Sequence, residues 1–308
     1  MAGSVSDLPS AISLREVAPR DGLQTEPPIP TDAKIELVRA LALTGVRRIE
    51  ACSFVSPKAV PAMADAEEVW AALDRSQDIR YSALVPNMRG ASRALALGVP
   101  ELNVVVSASE THNRKNVNRS TGESLDQIAE IIVAAHDAGA TVQVVVSTAF
   151  GCPFEGDVPV ERSLWVAKTA ASLDADQIAY GDTTGMGTPG RVAALVGETR
   201  SALPDLPLNL HFHNTRGTGL ANVLMGLQMG VTDSDASVGG LGGCPFAPGA
   251  TGNVVTEDLV HMVEDMGIDT GIDLPSLLEA SADAERLVGH TVPSQVLRAG
   301  PRTRRYPA

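Results

Sequence analysis

Aromatic residues are scarce: two Trp, three Tyr and five Phe supply 3% of 308 residues. The cysteines number three, too few and too odd for a disulfide framework, which points to a reducing compartment. Basic residues fall short of acidic ones, 24 against 37, giving a net charge of −13. Such an acid excess is a poor match to sequence-independent binding of nucleic-acid phosphates and argues against anionic membrane surfaces, though it leaves room for a local basic pocket. No uncharged apolar run approaches the ~20 residues of a membrane span, and Met1–Asp7 has neither the basic region nor the apolar run of a signal peptide. The expectation is a cytoplasmic protein with no nucleic-acid and no membrane partner. What is present is apolar material, 44% of the chain, with a mean hydropathy of +0.06. That excludes a disordered chain and predicts a large core of Ala, Val, Leu and Ile.

One pattern recurs along the sequence. A short β-branched run is followed by a polar or glycine turn, a helical stretch, and often a glycine before the next run. The runs are Ile12–Ala18, Val46–Cys52, Arg80–Val85, Leu102–Val106, Thr141–Ser147, Gln177–Tyr180, Leu208–His213 and Asp235–Val238. Helical stretches are predicted over Ala33–Leu43, Ser124–Ala138, Glu161–Leu173, Gly190–Leu203, Leu220–Met229 and Glu257–Met266, with a further one over Leu274–Leu287. Strands alternating with helices form right-handed βαβ units and a parallel sheet. Eight of them predict an α/β fold, a (β/α)8 TIM barrel with a C-terminal helical extension. It forms a single domain over 1–308, with the barrel at about 10–270 and a C-terminal helix and tail at about 271–308. A doubly wound open sheet would want a glycine-rich phosphate turn after its first strand, and Pro19-Arg20-Asp21-Gly22 is not one.

In a barrel of this kind chemistry gathers at the C-terminal ends of the strands. Position alone places Arg20, Asp21, Glu50, Asn87, Ser107, Ser109, Asp182, His211 and His213 there. Residues two apart in a strand share a face, so both imidazoles of His211-Phe212-His213 point the same way. Two satisfied core histidines is the plainer reading of such a pair. Two imidazoles joined by Asp21 from another strand end is a donor set that suits a divalent metal. Arg20 beside Asp21 is either a local ion pair or a cation placed to stabilise an oxyanion. Glu50 is either a barrel-layer residue paired with Arg47 or Arg48, or a base or orienter of Arg20. Asp182, in a glycine-rich loop, either caps the following helix or does chemistry. Gly-Cys-Pro-Phe occurs twice, around Cys152 and Cys244, and spacing does not choose between them. The second lies in Ser237–Pro245, where four glycines within five residues allow a close backbone approach. Cys52, inside a strand, is read as packing.

Arg20-Asp21-Gly22-Leu23-Gln24, Ser53–Lys58, Gly181–Pro189, His211–Gly217 and Ser237–Gly252 together resemble the motifs of the 3-hydroxy-3-methylglutaryl-CoA lyase family, in the same order, from about Leu14 to Gly271. The resemblance implies a barrel that cleaves a 3-hydroxy-3-carboxyalkyl acyl-CoA by a retro-Claisen step, with 3-hydroxy-3-methylglutaryl-CoA giving acetyl-CoA and acetoacetate. It implies Asp21, His211, His213 and Asn253 as ligands of a divalent cation, Mg2+ or Mn2+, and no redox cofactor. It further implies Arg20 as the residue that stabilises the enolate, Cys244 as the loop acid/base, and Glu50 and Asp182 as further active-site acids. Gln24, Ser109 and Arg216 become substrate contacts. Lys58, Arg89, Arg114, Lys115 and Arg216 are candidates for holding the CoA phosphates, and a homodimer is implied.

The sequence departs from the family pattern at Pro27, Tyr180, Asn214, Arg216 and Gly239, while the implied metal and acid/base residues are intact. The departures bear on the substrate more than on the reaction class. A lyase for a relative such as citramalyl-CoA is the alternative. A condensing enzyme of the same barrel group, acting on 2-oxo acids, is a second alternative, against which the cysteine loop argues.

Overall fold

The computed structural model describes residues 8–243 and 252–305. Its eight strands are β1 (Ser13–Glu16), β2 (Arg48–Ser53), β3 (Arg80–Leu84), β4 (Glu101–Ser107), β5 (Thr141–Ser147), β6 (Gln177–Asp182), β7 (Leu208–Phe212) and β8 (Asp233–Ala236). Neighbours pair in parallel in sequence order, and β1 pairs with β8 to close the barrel. The expected (β/α)8 barrel is the observed fold. Strands β4 and β5 are valine-rich and buried on both faces, as parallel strands between a core and a helical layer require.

The outer layer comprises α1 (Thr31–Ala42), α2 (Ala66–Ala71), α3 (Met88–Ala96), α4 (Glu110–Val117), α5 (Thr121–Asp137), α6 (Val160–Ser172), α7 (Pro189–Ala202), α8 (Gly219–Gln228) and α9 (Thr256–Asp265). Their buried stripes are Leu, Val, Ile and Ala, as in Ile128, Ile131, Ile132 and Ala135 of α5. Helix α5 starts on a capping box: Ser120 accepts from the Glu123 N–H while Glu123 accepts from the Ser120 N–H, a motif worth about 1 kcal/mol. Trp70 is the one fully buried tryptophan. It donates from its indole N–H to the Leu97 carbonyl at 3.1 Å and stacks edge-on against Tyr81. Helices α10 (Leu274–Val288) and α11 (Gln295–Ala299) follow the barrel. Among the described residues no helix is long and apolar enough to cross a membrane.

Three departures from the sequence expectation have physical reasons. Helices α2 and α3 occupy connections where no helix was expected. Helix α3 is short, nine residues, and buries only Gly90, Ala91 and Ala94, with no long aliphatic side chain on its buried face. Strand β8 starts two residues earlier than expected, because Asp233, Ser234 and Asp235 are polar and conceal a strand from a hydropathy reading. The first strand ends at Glu16, and Ala18–Gly22 forms one wide helical turn closed by the Arg20, Asp21 and Gly22 N–H groups on the Val17 carbonyl.

The middle of the barrel is polar, unlike the branched aliphatic filling usual for this architecture. Arg15, Glu50, Asn103, Gln143, Asn209 and Asp235 are all buried there, none more than 4% exposed.

At the α1–β2 turn, Gly45 adopts φ +93°, and a Cβ built on it would lie 2.3 Å from the Gly271 carbonyl oxygen. Gly45→Ala therefore meets both a left-handed backbone and main chain that cannot rotate away. It should lower stability by roughly 1–3 kcal/mol, read as a lower urea midpoint at an unchanged slope. An unshifted midpoint would show that the 271 turn gives way freely.

Candidate active site

The turn after β1 aims Arg20 and Asp21 into the mouth of the barrel. Arg20 donates from Nε to Glu50 Oε2 at 2.5 Å and from Nη1 to Asp21 Oδ1 at 2.6 Å. Glu50 thus pairs with Arg20, not with Arg47 or Arg48. Its other oxygen accepts from Asn103 Nδ2 at 2.6 Å. Asp21 is held from every side. Gln24 Nε2 donates to Oδ1 at 2.6 Å, and Asn253 Nδ2 donates to Oδ2 at 2.8 Å.

His211 and His213 point inward, as the two-residue strand period predicted. Their Nε2 atoms face each other at 3.2 Å, and His213 Nε2 lies 3.9 Å from Asp21 Oδ2. One ligand atom from each of Asp21, His211 and His213 falls within a 4.8 Å cluster. The fourth expected ligand, Asn253, is brought alongside by a backbone bridge to His213. Its buried Oδ1 has no hydrogen-bond partner among the described residues. An orphaned amide oxygen, a carboxylate and two facing imidazole nitrogens are the donor set a divalent cation takes, so these residues fit one.

The charges agree with that reading. Burial pushes Asp21 up, but Arg20 and the two histidines outweigh it and hold the carboxyl below its usual range. Burial and then the neighbouring His211 push His213 down to about 4. His211 is driven down by burial but ends above its ordinary 6.5, because Asp235 Oδ2 accepts from its Nδ1 at 3.1 Å. With its Nδ1–H donated to Asp235, the neutral His211 ring presents an unprotonated Nε2 to the cluster.

Asp182 ends β6. It accepts from the Met186 and Gly187 N–H groups at 2.8 and 3.0 Å and does not cap α7. Burial raises it to about 6 despite those bonds. Arg216 donates to the Thr184 and Gly185 carbonyls at 2.8 and 2.9 Å, bracing the same loop. Ser109 caps α4 by accepting from the His112 N–H at 3.1 Å. Lys58, Arg89, Arg114 and Lys115 are exposed; Arg114 pairs with Glu110 and Lys115 sits over the Phe154 ring.

Of the two Gly-Cys-Pro-Phe motifs, the first buries its thiol: Cys152 is 0% exposed, inside a turn closed on Gly156. Burial holds the Cys52 thiol far above its usual range, as packing requires. Cys244 lies outside the described residues. The ribbon that leads to it does not: a Cβ on Gly242, at φ +118°, would lie 2.5 Å from Asn253 Nδ2 and 3.3 Å from Asp21 Oδ2. Only a glycine passes that close to the cluster.

Sequence reasoning missed the layer beneath the site: Arg15, Asn103 and Asp235. The available signal was a charged pair, Arg15-Glu16, in the middle of a strand, and the acidic Asp233-Ser234-Asp235 run. Asn253, 232 residues from its partner Asp21, was reached through the family resemblance alone.

The HMGL-like family model matches residues 11–284. The chain is 45% identical over 290 residues to hydroxymethylglutaryl-CoA lyase YngG of Bacillus subtilis, covering 94% of this chain and 97% of that one. It is 42% identical over 302 residues to the (R)-citramalyl-CoA lyase of Chloroflexus aurantiacus, covering 94% and 95%. A solved HMG-CoA lyase from Acinetobacter baumannii, in complex with coenzyme A and 3-methylmalate, superposes with a TM-score of 0.93 at 44% identity over the whole of both chains.

A proton and a cation compete for His211 Nε2. Mn2+ affinity, titrated on the metal-free protein, should therefore fall about tenfold per pH unit once the pH drops below the raised pKa of His211. An affinity unchanged between mildly acidic and mildly basic buffer would remove His211 from the cluster.

Proposed function

The chain belongs to the HMGL-like family and is a carbon–carbon lyase, and we propose that it cleaves 3-hydroxy-3-methylglutaryl-CoA to acetyl-CoA and acetoacetate. The observation that carries this reading is the Asp21–His211–His213 cluster set beside an arginine that Glu50 and Asp21 hold from two sides.

The reaction breaks the C2–C3 bond of the acyl group. The tertiary hydroxyl loses its proton, the carbonyl of acetoacetate forms, and the electron pair moves onto the thioester as an enolate, which then takes a proton at C2. Asp21, His211, His213 and Asn253 would hold the divalent cation, Mg2+ or Mn2+, which supplies Lewis acidity to the substrate oxygens when bound. Asp182, raised to about 6, is ionised at neutral pH yet basic enough to accept the hydroxyl proton. The Arg20 guanidinium, fixed before the reaction starts, offsets the enolate charge without reorganising. Glu50 orients Arg20. Cys244 returns a proton to C2, a role supported by the passage of Gly242 against Asp21 and Asn253, two residues before the thiol. Gln24 orients Asp21, and Ser109 and Arg216 are assigned to substrate contact. No redox cofactor enters this scheme.

The reading extends to a single-domain cytoplasmic homodimer acting on an acyl-CoA. The bacterial lyase relative supports the location, and the net charge of −13 supports the lack of a nucleic-acid partner. The similarity to the (R)-citramalyl-CoA lyase favours one second reading, the same cleavage on that shorter acyl-CoA.

Acetyl-CoA release from the two thioesters, assayed side by side with Mg2+ or Mn2+, separates these readings. Rapid release from 3-hydroxy-3-methylglutaryl-CoA, abolished by EDTA, is expected. Arg20→Met should cut kcat by about 100-fold or more, and Cys244→Ala should cut it while leaving Mn2+ affinity unchanged. Cleavage of citramalyl-CoA alone would reassign the substrate, and a fully active Cys244→Ala would remove the thiol from the reaction.

A further inference from the structure

Arg15 lies at the same level of the barrel as Asp235, its register partner across the β1–β8 seam, and its side chain is 2% exposed. Its guanidinium makes two sets of contacts that lead to different halves of the site. On one side Nε and Nη2 grip both oxygens of Asp235, at 2.9 and 2.8 Å. That fork leaves Asp235 Oδ2 one remaining direction, which accepts from His211 Nδ1 at 3.1 Å. The proton of His211 is therefore pinned to Nδ1, and Nε2 is left bare toward Asp21 and His213.

On the other side Nη1 donates to Asn103 Oδ1 at 2.9 Å. This fixes which way the amide faces, since its oxygen must meet the guanidinium and its nitrogen must face away. That nitrogen donates to Glu50 Oε1 at 2.6 Å, leaving Oε2 to accept from Arg20 at 2.5 Å. One buried guanidinium thus sets the tautomer of a histidine in the cluster and the placement of Arg20 beside it.

We propose that Arg15 is a positioning residue for both the metal cluster and Arg20, acting through Asp235 and Asn103 respectively. The inference rests on the metal-dependent reading of the site. It needs the guanidinium fork and not merely a positive charge. An ammonium can neither grip both Asp235 oxygens in plane nor reach Asn103 from the same atom.

Two variants test it, Arg15→Lys and Asn103→Leu, each measured for Mn2+ affinity on the metal-free protein, for kcat, and for melting temperature. Arg15→Lys keeps the charge and loses the fork; it should weaken Mn2+ binding 10- to 100-fold and lower kcat at saturating metal. Asn103→Leu cuts only the branch to Glu50; it should leave Mn2+ affinity within twofold of the unsubstituted protein and lower kcat at least tenfold. A residue that served packing alone would shift the melting temperature without this split. Wild-type Mn2+ affinity and kcat in Arg15→Lys would overturn the proposal, as would an Asn103→Leu variant that loses metal as severely as Arg15→Lys. Should Arg15→Lys not fold, the split within Asn103→Leu decides. An unsubstituted protein that binds no Mn2+ would sink the metal reading and this inference with it.

Discussion

The barrel closes on an ion pair. Strands β1 and β8 would be the two edges of an open sheet, and Arg15 and Asp235 are register partners where they meet. Burying two such ions costs several kcal/mol each, recovered only if the geometry is good and the remaining donors and acceptors are satisfied. That condition reaches across the interior. The guanidinium needs more acceptors than Asp235 has, and Asn103 and Gln143 supply them from β4 and β5. Asp235 needs further donors, and Asn209 and His211 supply them from β7. Most strands of the closed sheet therefore contribute a polar residue to one level, and the helices outside supply the apolar burial the interior gives up. Breaking such a pair on one side costs about 3–5 kcal/mol, because it leaves the other charge buried and uncompensated. A seam specified this way also resists slipping, since a one-residue shift would turn Arg15 out of the barrel.

The architecture was legible because its signal is periodic. Val-rich β4 and β5, the Ile128–Ala135 stripe of α5 and the glycine punctuation between elements announce alternating strands and helices whatever their partners. The His211-Phe212-His213 pair was legible for the same reason, a period of two. What stayed hidden depends on contacts between distant positions. Arg15 reads as an anomaly in a short strand until Asp235 stands opposite it, 220 residues away. Strand β8 was misplaced by two residues because the polarity that makes it useful inside the barrel makes it look like a loop outside. Helix α3 is a short segment whose buried residues are glycine and alanine, small enough to let it lie close against Phe54, and it lacks the long aliphatic stripe that marks α5.

The electrostatics of the site follow from this layering. Arg15, Arg20, Arg48 and Arg80 bring four positive charges, and Asp235, Glu50, Asp21, Glu101 and Asp233 bring five negative ones, so the connected set is one unit negative with neutral histidines. A divalent cation turns that into one unit positive, which suits an acyl-CoA whose reacting end becomes anionic. The excess acid of the whole chain is no obstacle, because exposed charges beyond about 10 Å are largely screened while buried ones are not. Burial also lets His213 stay neutral beside a carboxylate. Burial, and then the neighbouring His211, hold it at about 4 against the pull of Asp21.

The departures from the family pattern can be weighed against the same geometry. Asn214 accepts from the Gly219 N–H at 3.0 Å, fixing the entry to α8. Arg216 ties down the Thr184 and Gly185 carbonyls, and with them the turn whose N–H groups hold Asp182. Arg216 thus serves the frame around Asp182, Asn214 serves the turn into α8, and among the described residues neither side chain hydrogen-bonds Asp21, His211 or His213. The contacts these two residues make are to backbone of the segments that frame the site. Tyr180 is buried with its hydroxyl on Thr199 Oγ1 at 2.7 Å, and Gly239 takes a positive φ of +66°, so these departures too are accounted for by the frame, and the contacts of Tyr180, Asn214, Arg216 and Gly239 fit an unchanged reaction held in a locally different scaffold.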